Sequence, residues 1–201
     1  MPTDTFLKLS EDKRNRFIEV ALQEFAHHNF DAASVNRIVR ELGIARGSVY
    51  QYFKDKLGLW QYLYEYAQQQ KLTFVKAINR ADFDDFWMYY RQLYKHGISF
   101  QVEQPLCYAL LHRIAYLERS PSVLDRTQSW QQQAKAALAE LVKAEQQSGH
   151  ISSEISIDAA VALMIATSQA IADLWLAKNH DSNEFDAVLD EIIELLKKAL
   201  H

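Results

Sequence analysis

Among its 201 residues the chain has only five glycines and three prolines. With so few residues that turn or interrupt the backbone, long helices are favoured over many short strands. The apolar spacing agrees. Phe17, Ile18, Ala21, Leu22 and Phe25 recur at helical intervals, as do Leu59, Trp60, Leu63, Tyr64 and Ala67. Ser10 ahead of Glu11 and Asp12 predicts a first helix start, and the helix should end near residues 27–33. Ser34 caps a second helix over 35–42, with Val35, Ile38, Val39 and Leu42 on one stripe. A third runs from Arg46 to Phe53. Asp55 opens a fourth that reaches Ile78, and Asp82 restarts the pattern for a fifth. Pro105 fits the first turn of a sixth, 105–118. Ser120-Pro121 starts a seventh that stops at Ser148-Gly149. The eighth spans 156–179 and the ninth about 184–200. No convincing strand, repeat or linker intervenes, so the expectation is an all-α fold of about nine helices.

Composition narrows the function. Apolar residues make up 49% and charged residues 24%, as in an ordinary globular domain. The net charge of −4 argues against a uniformly basic nucleic-acid coat. The charge is uneven, however. Residues 1–60 hold nine Lys/Arg against eight Asp/Glu, whereas the remainder holds 13 against 18. The lone cysteine, Cys107, has no intrachain partner and fits a reducing cytoplasm. The N-terminal MPTDTFLKLSEDKR lacks the apolar core of a signal peptide. The longest uninterrupted apolar run, Ala159–Ala166, is eight residues, against the roughly 20 of a membrane span. Neither signal peptide nor membrane is expected, and the localisation expected is cytoplasmic. The histidines show no HxxxH or HExxH spacing. No phosphate loop, GxSxG or dinucleotide fingerprint appears. The chain is therefore not expected to be an enzyme, and no metal or cofactor is implied.

One corner concentrates what the rest lacks. In GIARGSVYQYFKDK, residues 43–56, two of the five glycines stand four residues apart among aromatics and cations. Two short helices joined by a tight glycine turn make a helix-turn-helix, whose second helix enters the DNA major groove. Gly43 permits the turn. Val49 and Phe53, four apart, anchor the short helix. That leaves Arg46, Gly47, Ser48, Gln51 and Tyr52 facing outwards, with Tyr50 beside them. Arg46 suits guanine or phosphate, and Gln51 suits adenine. Gly47 lets DNA approach closely, Tyr50 and Tyr52 offer hydroxyls, and Lys56 adds a cation at the next helix start.

The run SVNRIVRELGIARGSVYQYFKDKLGLW resembles the DNA-binding signature of TetR-family transcriptional regulators. The preceding RNRFIEVALQEFAHHNFDAA is similar to that family's first helix, and the motif covers about residues 10–65. The resemblance implies a capping Ser at Ser34 and a turn glycine at Gly43. It implies phosphate contacts from Tyr50 and Lys56, and base or groove contacts from Arg46, Gly47, Ser48 and Gln51. Asn36 and Arg37 add to either class, and Ser34 and Tyr52 complete the expected DNA-binding set. Two positions depart from the pattern: Ala45 replaces a capping Ser or Thr, and Tyr52 stands where His is frequent. Tyr50 remains a candidate for partial core, and Arg37 for a merely solvated side chain.

The resemblance also implies two domains. Residues 1–55 form the helix-turn-helix domain, and 56–201 a helical effector-binding and dimerisation domain. The family pairs through its last two long helices, and here 159–172 mixes small and apolar residues around its circumference. A homodimer would suit a two-fold symmetric operator in double-stranded DNA. The middle helices are aromatic-rich. Trp87, Tyr90, Tyr94, Tyr108, Tyr116 and Trp130 are candidate contacts for a small-molecule effector whose identity the sequence does not name. The same residues are candidates for filled core, the commoner role of an aromatic helical stripe. The expected function is thus a ligand-responsive DNA-binding regulator, a repressor released by a small molecule. The alternatives are a DNA-binding protein of the same fold without an effector, and a helical enzyme or interaction module.

Overall fold

The computed structural model describes residues 1–177 and 182–201. Ten α-helices and no strand occur among the described residues. They are α1 (Asp4–Leu7), α2 (Glu11–His27), α3 (Val35–Leu42), α4 (Arg46–Tyr52), α5 (Lys56–Val75), α6 (Phe86–Glu103), α7 (Pro105–Tyr116), α8 (Pro121–Gln147), α9 (Ile157–Ala177) and α10 (Ser182–Leu200). The all-α expectation holds, and nine of the ten helices are those the spacing predicts. The tenth, α1, is new. The expected end of α9 at 178–179 and His180 lie outside the described residues.

Helix boundaries follow local chemistry. Gly43 ends α3 in the left-handed conformation (φ 66°, ψ 28°), and the Ile44 N–H returns to the Val39 carbonyl at 3.1 Å. Asp55 caps α5, accepting from the Gly58 N–H at 2.7 Å. Two boundaries differ from expectation. α5 stops at Val75, and α6 begins at Phe86 rather than near Asp82. Asp85 explains the later start, because its carboxylate accepts from the Trp87 and Met88 N–H groups at 2.6 and 3.1 Å. Ser10 and Ser34 occupy the predicted capping positions of α2 and α3, but neither side chain makes a capping bond.

The chain divides into two compact units. The first comprises Met1–Thr73 and Phe100–Gln128, the second Phe74–Ser99 and Ser129–His201. The second unit closes on Phe86, Trp87, Tyr90, Val142, Met164 and Leu189, all buried. Arg91 pairs with Asp190 at 2.5 Å and Lys95 with Asp186 at 2.8 Å. The pairs sit one turn apart on α6 and α10, so the two helices run antiparallel there. Buried Glu145 receives Arg80 Nε and Nη2 at 2.7 and 3.0 Å, with His150 Nδ1 3.0 Å away.

By length and composition alone, Ile157–Trp175 of α9 would cross a membrane, at a mean hydropathy of 1.4. The reading from uninterrupted apolar runs misses this, because Thr167, Ser168 and Gln169 break the run without ending the apolar character. Ala160, Val161, Met164, Ile171 and Trp175 of this helix are buried in the second unit's core. A core helix of this kind meets the same criterion as a span.

Candidate nucleic-acid interface

The corner 43–56 lies in the first unit, and its frame is built around α2. Glu24 stands on the buried stripe of α2 and is only 8% exposed. It accepts from the Ser34 N–H at 2.7 Å and from Arg37 Nε and Nη2 at 2.9 and 2.5 Å. Burial alone would push the Glu24 carboxyl up. The bonds from Arg37 and Ser34, with the charges of Arg37 and His28, outweigh it and hold the group below its ordinary value. A carboxylate on α2 therefore binds the Ser34 N–H and the Arg37 side chain and so seats the start of α3.

The loop between α2 and α3 is gripped from two further sides. Lys56 Nζ donates to the carbonyls of Phe30 at 2.7 Å and Ala33 at 3.1 Å, and lies 4.5 Å from the Phe30 ring centre. From the α7–α8 corner, Glu118 accepts the Phe30 N–H at 2.8 Å, while Arg113 donates to Ala26 and His27 carbonyls at 2.8 and 3.1 Å. Glu118 is itself 3% exposed and also receives the Arg119 and Ser120 N–H groups at 2.9 Å each.

α4 rests on this frame through Val49 and Phe53, exposed by 1% and 0%. Arg46, Gly47, Tyr50 and Gln51 are exposed, and Ser48 is half-buried. Tyr50 keeps 45% of its surface in solvent, with the Arg46 guanidinium 5.9 Å from its ring centre. Asn36 on α3 is exposed, and Ser34 half-buried. Four residues therefore present a polar face from a helix fixed on two buried anchors.

Three side chains point elsewhere than the sequence suggests. Tyr52 was to face outwards, but its ring packs on Phe6 and Phe17 at 5.7 Å each. Arg37 is committed to Glu24 and to the Ala32 carbonyl at 2.7 Å, so it is not merely solvated. Lys56 directs its ammonium at the chain's own carbonyls, and reaching a phosphate requires giving some of them up. The reason is common to the three: spacing fixes where a Cβ sits, not where a long side chain ends. Sequence reasoning also missed Glu24, Arg113 and Glu118. For Glu24 a signal existed, an acid on the apolar stripe between Ala21 and Phe25.

The aromatic effector candidates separate. Trp87 and Tyr90 are buried in the core of the second unit. Tyr94 packs against that core and donates to the Tyr90 hydroxyl at 2.8 Å, with Ser168 Oγ 3.3 Å away. Trp130 is half-buried in the same unit. Tyr108 and Tyr116 belong to the first unit, where they flank His112 along α7 at ring distances of 5.8 and 4.9 Å. Among the described residues no three His, Cys, Asp or Glu side chains converge on a metal position.

A left-handed glycine turn, a short helix on two buried anchors and an exposed Arg-Gly-Tyr-Gln face define a helix-turn-helix DNA-binding protein. Residues 17–63 match the family model for bacterial regulatory proteins of the tetR family, so the front of the chain carries the DNA-binding module of that family. It is 35% identical over 71 residues to an HTH-type transcriptional regulator of Staphylococcus aureus strain USA300. That match covers 35% of this chain and spans only 38% of the relative's length. A TetR-family regulator from Chloroflexus aurantiacus J-10-FL is similar throughout, with 28% identity, a TM-score of 0.83, and 100% of this chain and 98% of that one covered. The fold is also that of Bacillus subtilis FadR, solved with stearoyl-CoA, at 18% identity and a TM-score of 0.70 over 93% of this chain and 99% of that one.

Proposed function

We propose that the protein is a dimeric repressor that holds a two-fold symmetric operator and leaves it when a small molecule binds. The observation that carries the DNA-reading part is the exposed face of α4 on its buried anchors, Val49 and Phe53. In this reading Arg46, Gly47, Ser48 and Gln51 meet the groove, and Tyr50 and Lys56 meet phosphates. Asn36 contributes from α3. Arg37 acts through Glu24 by setting the α3 start. Residues 1–55 serve as the DNA-binding domain and 56–201 as the effector and pairing domain.

Pairing is supported by α9 and α10. Leu163, Ile165 and Leu195 are large apolar residues exposed by 37%, 45% and 63%. Large apolar side chains left exposed on the two helices that the resemblance assigns to pairing support this part of the reading. The effector part has the FadR–stearoyl-CoA complex as a precedent in the same fold. Release demands differential affinity, and moving a population from 1:99 to 99:1 takes about 10⁴-fold preference for one state. The site of action follows from the target, DNA in the cytoplasm.

DNA binding measured across salt concentrations tests this reading. Tyr50→Phe and Lys56→Ala should each weaken binding on all duplexes, and Lys56→Ala, which removes a charge, should also flatten the salt dependence. Undiminished binding in both would remove these residues from the interface. Thermal shifts against a metabolite panel that includes long-chain acyl-CoA test the effector. Absence of any stabiliser favours the same fold without an effector.

A further inference from the structure

The recognition helix is only seven residues long, too short to stand by itself in water. Its last-turn carbonyls lack partners within the helix. The Val49 carbonyl is satisfied by the Phe53 N–H at 2.8 Å. The next two available partners come from the N-terminal segment, 48 residues before Gln51. Thr3 donates its N–H to the Tyr52 carbonyl at 2.9 Å and its hydroxyl to the Gln51 carbonyl at 2.6 Å. Thr3 is also the residue that opens α1. α1 is held down by Phe6, which is fully buried with its ring 4.9 Å from Phe53, 5.4 Å from Phe17 and 5.4 Å from Tyr62. Arg14 Nη1 reaches the Leu7 carbonyl at 3.3 Å and ties the end of α1 to α2.

Residues 3–9 thus lie outside the family-matched stretch 17–63, yet they close the helix that carries Gln51. We propose that Thr3 is a positioning residue for DNA reading: it caps the C-terminal end of the recognition helix and holds Gln51 in register, with Phe6 as its anchor. This rests on α4 being the recognition helix. Its consequence is specific. Loosening the cap frays the last turn, which blunts base reading, while contacts to the phosphate backbone from elsewhere in the corner persist.

The test uses the full chain, a duplex that it enriches from a random pool, and poly(dI-dC) as non-specific DNA. Thr3→Val keeps the shape and the N–H but removes the hydroxyl donor. It should weaken binding to the enriched duplex by about three- to tenfold, the equivalent of one net hydrogen bond. Binding to poly(dI-dC) should stay unchanged, and amide exchange at Val49–Phe53 should quicken. Thr3→Ser should restore wild-type binding, and Thr5→Val, next but one in the chain, should have no effect. Wild-type affinity in Thr3→Val overturns the proposal, as does an equal loss on both DNAs. A wild type that enriches no duplex overturns the DNA-reading assignment itself and the Thr3 role with it.

Discussion

A Cβ added to Gly43 meets nothing within 4 Å, but φ there is 66°, a conformation that costs an L side chain about 1–2 kcal/mol. Gly43→Ala should lower stability by about that amount in chemical denaturation, and Gly43→Asn by less. Gly47 is different. It has no positive φ, and a Cβ there also meets nothing within 4 Å. Nothing inside the protein requires glycine at this helical position, where alanine is about 1 kcal/mol better. Gly47→Ala should therefore raise the unfolding free energy by about 0.5–1 kcal/mol and still weaken DNA binding. Unchanged DNA binding in that variant would contradict the close approach assigned to Gly47. Lys56 gives a contrasting signature. Because it bonds the Phe30 and Ala33 carbonyls, Lys56→Ala should lose stability as well as DNA affinity, whereas Tyr50→Phe should spare stability.

At the level of elements, two buried carboxylates hold segments together: Glu24 seats α3, and Glu145 ties Arg80 to α8. At Glu145 burial again pushes upward, but the Arg80 bonds and the charges of Arg80 and His150 hold the carboxyl below its ordinary 4.5. A depressed carboxyl contributes stability above its unfolded pKa and loses it as pH falls through its folded pKa. Thermal midpoints of wild type should therefore fall below pH about 4.5 more steeply than those of Glu24→Gln or Glu145→Gln. Equal slopes would deny these two groups that role. The elements themselves were legible to different degrees. Long helices such as α2 and α5 declare a period over several turns. α1 has four residues, less than one and a half turns, and its single anchor Phe6 cannot show a period. The corner 43–56 was legible because its glycine turn and anchors are adjacent in sequence. The grip on the α2–α3 loop was not, since Phe30 and Glu118 lie 88 residues apart.

For the whole molecule, the exposed apolar residues of α9 and α10 predict assembly. Ile165→Glu places a charge on an exposed position, so each chain should stay helical by circular dichroism. In light scattering the variant should shift to monomer, and its operator affinity should fall because one helix-turn-helix is left to bind alone. A dimer unaffected by this change would move the pairing surface elsewhere. The buried Cys107 thiol, which burial pushes up to about 11, should react with iodoacetamide at pH 8 only slowly in the folded chain. The most direct measurement of the central claim is selection of bound duplexes from a random DNA pool by the effector-free protein. The account predicts enrichment of a two-fold symmetric sequence, bound with an affinity that falls as salt rises. A pool that shows no enrichment, with no salt-sensitive binding, would contradict it.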